Sequence, residues 1–313
     1  MITKEEFTYK SRDGETDIHA IRWIPETEPI GILQIVHGMQ EFIDRYDPYA
    51  RYMAERGILV TGNDHLGHGE SLDANKTFGY FCEEDPATVI VRDVHRLKKI
   101  TQEKYPGLPI VILGHSFGSY TLRDYLSRYG SGIDAAIIQG TGMESPAALS
   151  AGKTLAMLTK AFHGSRYRSE MINNIAFGAY LKKIPNARTK QDWLSHNEKS
   201  VDAYIADPRC NFVFTVNGFL TLFDLVGRSQ NPQRMSQIPK DLKILLTAGT
   251  EDPVGAYAES VKKLYKIYTQ DLNMTSVEIK LYEGMRHELQ QEIGSEKVFA
   301  DQYNWIMKIF QGK

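Results

Sequence analysis

One serine between two glycines stands out as a residue whose setting suggests chemistry. The segment Gly114-His115-Ser116-Phe117-Gly118 has the spacing G-x-S-x-G, follows four apolar residues at 110–113, and precedes a helical pattern at 120–129. A serine on a sharp turn between a buried strand and a helix exposes its hydroxyl, and glycines avoid collisions of a Cβ with the neighbouring strand or helix. The pattern favours a nucleophilic Ser116 over a Gly/Ser turn without a chemical role.

A serine hydroxyl becomes a good nucleophile only when a base takes its proton and an acid holds the base in the correct tautomer. After a turn of this kind, the acid and then the histidine follow along the chain. Three histidines, His163, His196 and His287, come after Ser116. Only His287 follows a predicted strand directly, so a rigid sheet can orient it. We therefore predict that His287 is the base.

The predicted acid is Asp252, which lies just beyond a predicted strand at 242–248, in a turn restrained by Pro253. The neighbouring Glu251 remains the alternative acid. A carboxylate at position 252 also suits the N-cap of the helix that follows, and the two roles are compatible.

The tetrahedral intermediate of acyl transfer needs fixed hydrogen-bond donors. One predicted donor is the backbone N–H of Phe117, the residue after the serine, and the other is the N–H of Met39, in the loop after the third strand. His37 opens that loop. Because it precedes the serine in the chain, we assign His37 a role in shaping the loop and not the role of the base.

The elements that position these residues alternate between apolar strands and amphipathic helices. Strands are predicted at 7–9, 18–24, 30–36, 58–61, 110–113, 133–138, 242–248 and 277–281, and helices at 46–56, 86–105, 120–129, 257–269 and 295–310. This alternation predicts an α/β fold with an eight-stranded, mostly parallel sheet flanked by helices, opened by an antiparallel hairpin. Ligand sites of such sheets lie at the carboxyl ends of the strands, so the loops that carry the candidate residues are expected to meet there.

The rhythm of the sequence changes between residues 141 and 237. Helical patterns are predicted at 145–160, 170–180 and 189–197, and an apolar stretch follows at 212–226. We interpret residues 141–237 as a helical cap over the catalytic edge, inserted into a core formed by residues 1–140 and 238–313. Its aromatic residues are expected to pack between helices, with some of them lining a pocket.

Composition narrows the classes of function. The chain has 313 residues, 42% of them hydrophobic and 24% charged, with a formal net charge of −2, which gives no electrostatic case for binding nucleic acid. Cys82 and Cys210 are far apart and predict neither a disulfide framework nor a metal site. The acidic, polar N-terminus is unlike a signal peptide, and no apolar run is long enough to span a bilayer. The expected location is the cytoplasm.

Several motifs together resemble the monoacylglycerol lipase and lysophospholipase branch of the α/β-hydrolases, a branch that is also grouped with serine-aminopeptidase-like hydrolases. The matching residues are His37-Gly38 with Glu41 and Arg45-Tyr46, Asp64-x-x-Gly67-His68-Gly69-x-Ser71, Gly114-His115-Ser116-x-Gly118, Gly249-x-x-Asp252-x-Val254, and His287-Glu288 with Glu292. The resemblance implies an α/β-hydrolase fold, a triad of Ser116, Asp252 and His287, oxyanion donors at Met39 and Phe117, and a cap between the sixth and seventh strands. One departure is Gln40, where many relatives carry glycine.

The resemblance implies a serine carboxylester hydrolase that acts on monoacylglycerols or lysophospholipids through an acyl-enzyme, with no metal or organic cofactor. The expected partners are a small acyl ester and, transiently, a membrane or micelle that contacts the cap; the oligomeric state is left open. One alternative is a serine aminopeptidase, for which Glu170, Glu198 and Asp202 are candidate binders of the substrate amine. The other alternative is a non-catalytic ligand-binding protein. The presence of all three triad residues argues against it, because binding alone does not require them.

Overall fold

The predicted α/β architecture with eight strands in one mostly parallel sheet is confirmed. The computed structural model describes residues 2–312. The strands are β1 Thr3–Lys10, β2 Asp17–Ile24, β3 Gly31–Val36, β4 Ile58–Asn63, β5 Ile110–His115, β6 Ala135–Gln139, β7 Lys243–Gly249 and β8 Val277–Tyr282. Their order across the sheet is β1-β2-β4-β3-β5-β6-β7-β8. The pairs β1–β2 and β2–β4 are antiparallel, and all other neighbouring strands are parallel.

Helices cover both faces of the sheet, which explains why its central strands are mostly apolar. The helices are α1 Asp47–Ala54, α2 Pro86–Lys104, α3 Phe117–Tyr129, α4 Pro146–His163, α5 Glu170–Phe177, α6 Glu198–Ala206, α7 Val216–Ser229, α8 Pro232–Met235, α9 Glu259–Lys266 and α10 Ser295–Gln311. Along β5, Ile110 and Ile112 join one buried cluster, whereas Val111 and Leu113 join the cluster on the opposite face. Successive side chains of a strand point to opposite faces, so both sets of side chains in such a strand are buried and an apolar run is favoured.

The segment between β6 and β7 contains α4 to α8. The helix predicted at 189–197 is wrong: residues 189–195 form turns and bends, and the helix α6 begins only at Glu198. The physical reason is that backbone carbonyls in this stretch bind the core instead of the next helical turn. Leu194 O accepts a hydrogen bond from Glu288 N at 2.8 Å, and Arg286 Nη1 donates to Asp192 O at 2.7 Å.

The two cysteines and the apolar character of the helices were also considered in the sequence. Cys210 is a buried free thiol and Cys82 a partly buried one. Within residues 2–312, none of the helices has the length and apolar character needed to cross a bilayer.

Candidate active site

Ser116 occupies the turn between β5 and α3, as the motif predicts. Its backbone has φ 53° and ψ −118°, a left-handed conformation that is unfavourable for a residue with a Cβ. A Cβ added at Gly114 would collide with the carbonyl of Gly118, and one added at Gly118 would collide with the carbonyl of Val36. Both glycines are therefore required by close backbone packing. Such strain at a turn costs about 1–3 kcal/mol and commonly marks a functional site.

The structure brings His287 and Asp252 together. Both side chains are buried, and His287 Nδ1 lies 3.0 Å from Asp252 Oδ1. The two groups are close but not aligned, since neither His287 Nδ1 nor Asp252 Oδ2 has a hydrogen-bond partner among the described residues. Val254 N donates to Asp252 Oδ1 at 2.9 Å, so the carboxylate also caps the following turn. The geometry suits an acid that orients an imidazole.

The neighbouring carboxylate, Glu251, faces a different group. Its Oε2 lies 3.2 Å from Nε2 of His196, and its side chain is half exposed. His196 in turn has Nδ1 at 2.9 Å from Oε1 of Glu292. Glu251 and His196 therefore bind each other across the surface between the inserted helices and the core, away from the His287 ring.

The imidazole of His287 is confined from three sides. A Cβ added at Gly140 would lie 3.1 Å from Cε1 of the ring. The ring of His115 packs at 4.7 Å and the ring of Trp193, from the insertion, at 5.1 Å. This packing limits the imidazole to a narrow range of orientations, and His287 and Ser116 line the same cavity.

The loop after β3 lies against Ser116. A Cβ added at Gly38 would approach the Cβ of Ser116 to 3.2 Å. Met39 and Phe117 line the same cavity, and the backbone N–H of neither donates a hydrogen bond to any residue within 2–312. Free backbone N–H groups are the kind of donor that an oxyanion requires.

A buried carboxylate, Glu41, holds this loop in place. Its Oε1 accepts hydrogen bonds from Gly38 N at 2.5 Å and from the hydroxyl of Tyr46 at 3.0 Å, and its Oε2 accepts from Arg45 Nη1 at 2.9 Å. Burial opposes the charge, but the hydrogen bond to His115 and the charge of Arg45 outweigh it and hold the pKa of Glu41 well below its usual range. The charged carboxylate therefore fixes the peptide between His37 and Gly38, which is one peptide before the Met39 N–H.

His115 connects Glu41 to the loop that carries His287. Its Nδ1 lies 3.2 Å from Glu41 Oε1, and its Nε2 lies 3.2 Å from the carbonyl oxygen of His287. Burial lowers the pKa of His115, but the hydrogen bond and charge of Glu41 reverse that effect and raise it. Sequence reasoning gave His115 no role, although its place directly before the serine was an available signal.

Three further histidines brace the loop from behind. His37 Nδ1 lies 2.7 Å from Gly38 O, and His37 Nε2 accepts a hydrogen bond from His65 N at 2.9 Å. Burial lowers the pKa of His65 to about 4 and that of His68 to about 3, so both rings are neutral near pH 7. His37 therefore connects the loop after β3 to the segment that follows β4.

A cavity of about 400 Å³ lies over Ser116. This volume is within the range of small-molecule sites. Its apolar lining comes from several helices of the insertion and includes Leu149, Leu155, Ile175, Phe177, Leu222, Phe223 and Val226. Of the apolar stretch at 212–226, Phe214 and Phe219 are instead fully buried between helices. The contribution of α4 and α5 to the cavity was missed, because their apolar positions read as ordinary helix packing.

Comparison with known proteins extends over most of the chain. Residues 27–294 match the family described as Serine aminopeptidase, S33. A monoacylglycerol lipase of Mycolicibacterium smegmatis is 26% identical over 310 residues, which cover 97% of this chain and 98% of that protein. The human monoglyceride lipase is 27% identical over 292 residues, which cover 91% of this chain and 84% of that protein. A thermostable carboxyl esterase from Bacillus coagulans, solved in complex with glycerol, superposes with a TM-score of 0.90 at 26% identity and covers 99% of this chain and 100% of its own.

These similarities agree with the architecture. The α/β-hydrolase fold expected from the motifs is confirmed by the esterase structure, which matches the sheet and the inserted helices together. The expected resemblance to monoacylglycerol lipases is confirmed as sequence similarity along nearly the full chain. The chain belongs to the serine aminopeptidase S33 family and is a serine hydrolase with the α/β-hydrolase fold.

Proposed function

We propose that this protein is a carboxylester hydrolase whose substrates are monoacylglycerols or lysophospholipids. The observation that carries the proposal is the apolar cavity of about 400 Å³ directly over Ser116. An acyl chain is the part of a lipid ester that such a cavity stabilises. Similarity to monoacylglycerol and monoglyceride lipases supports the same substrate class.

In the proposed reaction, Ser116 Oγ attacks the ester carbonyl while His287 Nε2 takes its proton. Asp252 holds the imidazole with Nδ1 protonated and stabilises the imidazolium. The N–H groups of Met39 and Phe117 bind the oxyanion of the tetrahedral intermediate. His287 then gives its proton to the leaving alcohol, and an acyl-enzyme remains on Ser116. A water molecule, deprotonated by His287, attacks the acyl-enzyme and releases the acid, which restores the serine.

The aminopeptidase alternative requires a carboxylate that holds the substrate amine. Glu198 and Asp202 instead face Arg188, whose Nη2 lies 2.6 Å from Asp202 Oδ1. Glu170 begins α5 and does not line the cavity within the described residues. Glu144 does line it and is the observation that keeps the alternative open. Since the three carboxylates expected to bind a substrate amine are not among the described residues that line the cavity, we expect hydrolysis of esters and not of aminoacyl arylamides.

A substrate panel separates these functions. p-Nitrophenyl and glycerol esters of increasing chain length are compared with aminoacyl arylamides, and a fluorophosphonate probe reports whether the serine is reactive. Ester turnover supports the proposal, and preferential arylamide turnover that Glu144→Gln abolishes would replace it with the peptidase. A protein that the probe does not label would be a non-catalytic binder.

The chain-length profile tests the cavity itself. Each CH₂ buried in it is expected to contribute up to about 0.8 kcal/mol, or roughly fourfold in kcat/KM, until the cavity is full. In Phe223→Asp, a charge on the cavity wall flattens this rise but spares acetyl esters, whereas the control Phe223→Leu keeps it. The measurement is kcat/KM from acetate to decanoate. A wild-type profile that falls steadily from acetate would contradict the lipid substrate.

We also propose that residues 141–237 form the cap and that the cap contacts a micelle or membrane surface. Apolar side chains on α4 and α5 are exposed outward, with Phe162 at 83% and Ile175 at 66% of their full exposure, and Met157, Leu158 and Met171 lie on the same two helices. Ile175 also lines the cavity. An exposed apolar patch that continues into a cavity suits the transfer of a lipid from an interface.

The proposed contact has a direct test. Phe162→Ser is expected to weaken binding to lipid vesicles by about tenfold, because burial of an aromatic side chain contributes roughly 1.5–3 kcal/mol when complete. Turnover of soluble p-nitrophenyl acetate should not change. The control is Ile293→Ser, which removes an exposed apolar side chain outside the proposed cap, at 69% exposure. Equal vesicle binding by wild type and Phe162→Ser would refute the contact.

A further inference from the structure

Gln40 lies in the loop after β3, residues 37–41, which we call the oxyanion loop. Many relatives carry glycine at this position, and the backbone conformation of Gln40 explains why. Its φ is 59°, in the left-handed region. This conformation is unfavourable for a residue with a Cβ and free of that penalty for glycine. Gln40 directly follows Met39, whose N–H is the proposed oxyanion donor. A residue with such a strained backbone persists only where contacts with its surroundings offset the cost in free energy.

The compensating contacts of Gln40 are with the proposed cap. Its Nε2 donates a hydrogen bond to the carbonyl oxygen of Phe212, just before α7. Its Oε1 accepts a hydrogen bond from the hydroxyl of Tyr204, on α6, at 3.3 Å. Donor and acceptor of one amide therefore both bind the cap.

The two cap residues are themselves held firmly. The ring of Phe212 stacks on Phe78 at 5.2 Å and packs against His68 at 5.5 Å. Tyr204 is buried, and the guanidinium of Arg45 lies 4.9 Å from the centre of its ring. A displacement of the cap at these positions would therefore disturb the hydrogen bonds of the Gln40 side chain.

The oxyanion loop is thus tied on both sides of Met39. Gly38, on one side, is bound by the core carboxylate Glu41 at 2.5 Å. Gln40, on the other side, is bound by the cap. Gln40 and Tyr204 also line the cavity whose apolar wall the cap supplies.

We propose that Gln40 is a positioning residue that couples occupancy of the acyl cavity to the orientation of the oxyanion donor Met39. An acyl chain that fills the cavity holds the cap against the core, and the Gln40 amide transmits that order to the Met39 peptide. This inference rests on the proposed ester hydrolysis and adds to it a control of rate by chain length. Because an oxyanion donor acts on the transition state, the coupling raises kcat and not only the affinity for substrate.

The test compares wild type with Gln40→Gly and Gln40→Asn on p-nitrophenyl esters from acetate to decanoate. In wild type, kcat is expected to rise with chain length while KM falls. In Gln40→Gly, KM still falls because the cavity wall is intact, but kcat no longer rises and is about tenfold below wild type for decanoate. For acetate, which is too short to fill the cavity, the loss of kcat in Gln40→Gly is expected to be smaller than for decanoate.

Thermal unfolding and hydrogen exchange separate the coupling from a merely structural role. Gln40→Gly should be as stable as wild type or more so, since glycine relieves the left-handed strain. Amide exchange at 198–215 should become faster. Gln40→Asn tolerates the same backbone but is too short to reach the cap, so it should match Gln40→Gly in kinetics.

Distinct results overturn the coupling and the proposed function. A kcat that rises with chain length in Gln40→Gly as it does in wild type, or that is independent of length in wild type, overturns the coupling while ester hydrolysis stands. Loss of kcat with unchanged exchange at 198–215 also overturns it, because Gln40 would then act on the loop alone. Wild-type protein that hydrolyses no ester overturns the proposed function, and the coupling with it.

Discussion

Ser116→Ala and His287→Ala are each expected to lower kcat for a short p-nitrophenyl ester by roughly 10⁶-fold, because serine and histidine act as one proton-transfer unit. The double variant should be scarcely slower than either single variant. Fluorophosphonate labelling should disappear in Ser116→Ala. The measurements are steady-state turnover and probe labelling, with circular dichroism to show that each variant is folded.

A matched histidine makes this result specific. His163 lies in α4, where its ring stacks on Tyr167 at 4.4 Å, remote from the cavity over Ser116. His163→Ala should therefore keep the wild-type rate. Near wild-type turnover by His287→Ala would place the base elsewhere, and additive losses in the double variant would mean that the two residues act separately.

The second large effect is expected from Asp252→Asn, at up to about 10⁴-fold in kcat. The amide keeps the shape and can still accept the hydrogen bond of Val254 N, which the carboxylate accepts at 2.9 Å. It removes the charge that stabilises the imidazolium and favours the wrong imidazole tautomer. The measurement is kcat for the same short ester at a fixed pH near neutrality.

Glu251→Gln is the control for this variant, since it changes the adjacent carboxylate in the same way. Glu251 is half exposed and pairs with His196, so the loss of its charge should leave turnover nearly unchanged. If the large penalty appeared in Glu251→Gln and the small one in Asp252→Asn, Glu251 would be the acid.

The turn at Ser116 and the strands around it could be predicted because their signals are local. A buried strand needs an unbroken apolar run such as 110–113, and a tight strand-to-helix turn needs glycine where backbones touch. The order of the candidate residues along the chain is also a sequence property. Since parallel strands end at one edge, the sequence predicted that the loops after several strands would meet.

Other features were beyond the sequence because they depend on contacts between distant residues. The stretch 189–197 has helical spacing, yet its carbonyls bind Arg286 and Glu288, and those bonds replace the helical ones. Likewise, the sequence predicted that some residues of the 212–226 stretch would line a pocket but not which ones. Burial of Phe219 and exposure of Phe223 to the cavity depend on how α7 is rotated against α3 and α4.

The sequence by itself determined the class of chemistry, because the G-x-S-x-G turn between an apolar strand and a helix is a local pattern typical of serine hydrolases with this fold. Only the tertiary structure decided which of two adjacent carboxylates faces His287, since a one-residue step along a turn reverses the direction of a side chain. It also decided the hydrogen-bond partners of Gln40, which lie at 204 and 212, more than 160 residues away. Hydrogen bonds over such distances follow from the packing of the inserted helices on the core, which no local pattern encodes.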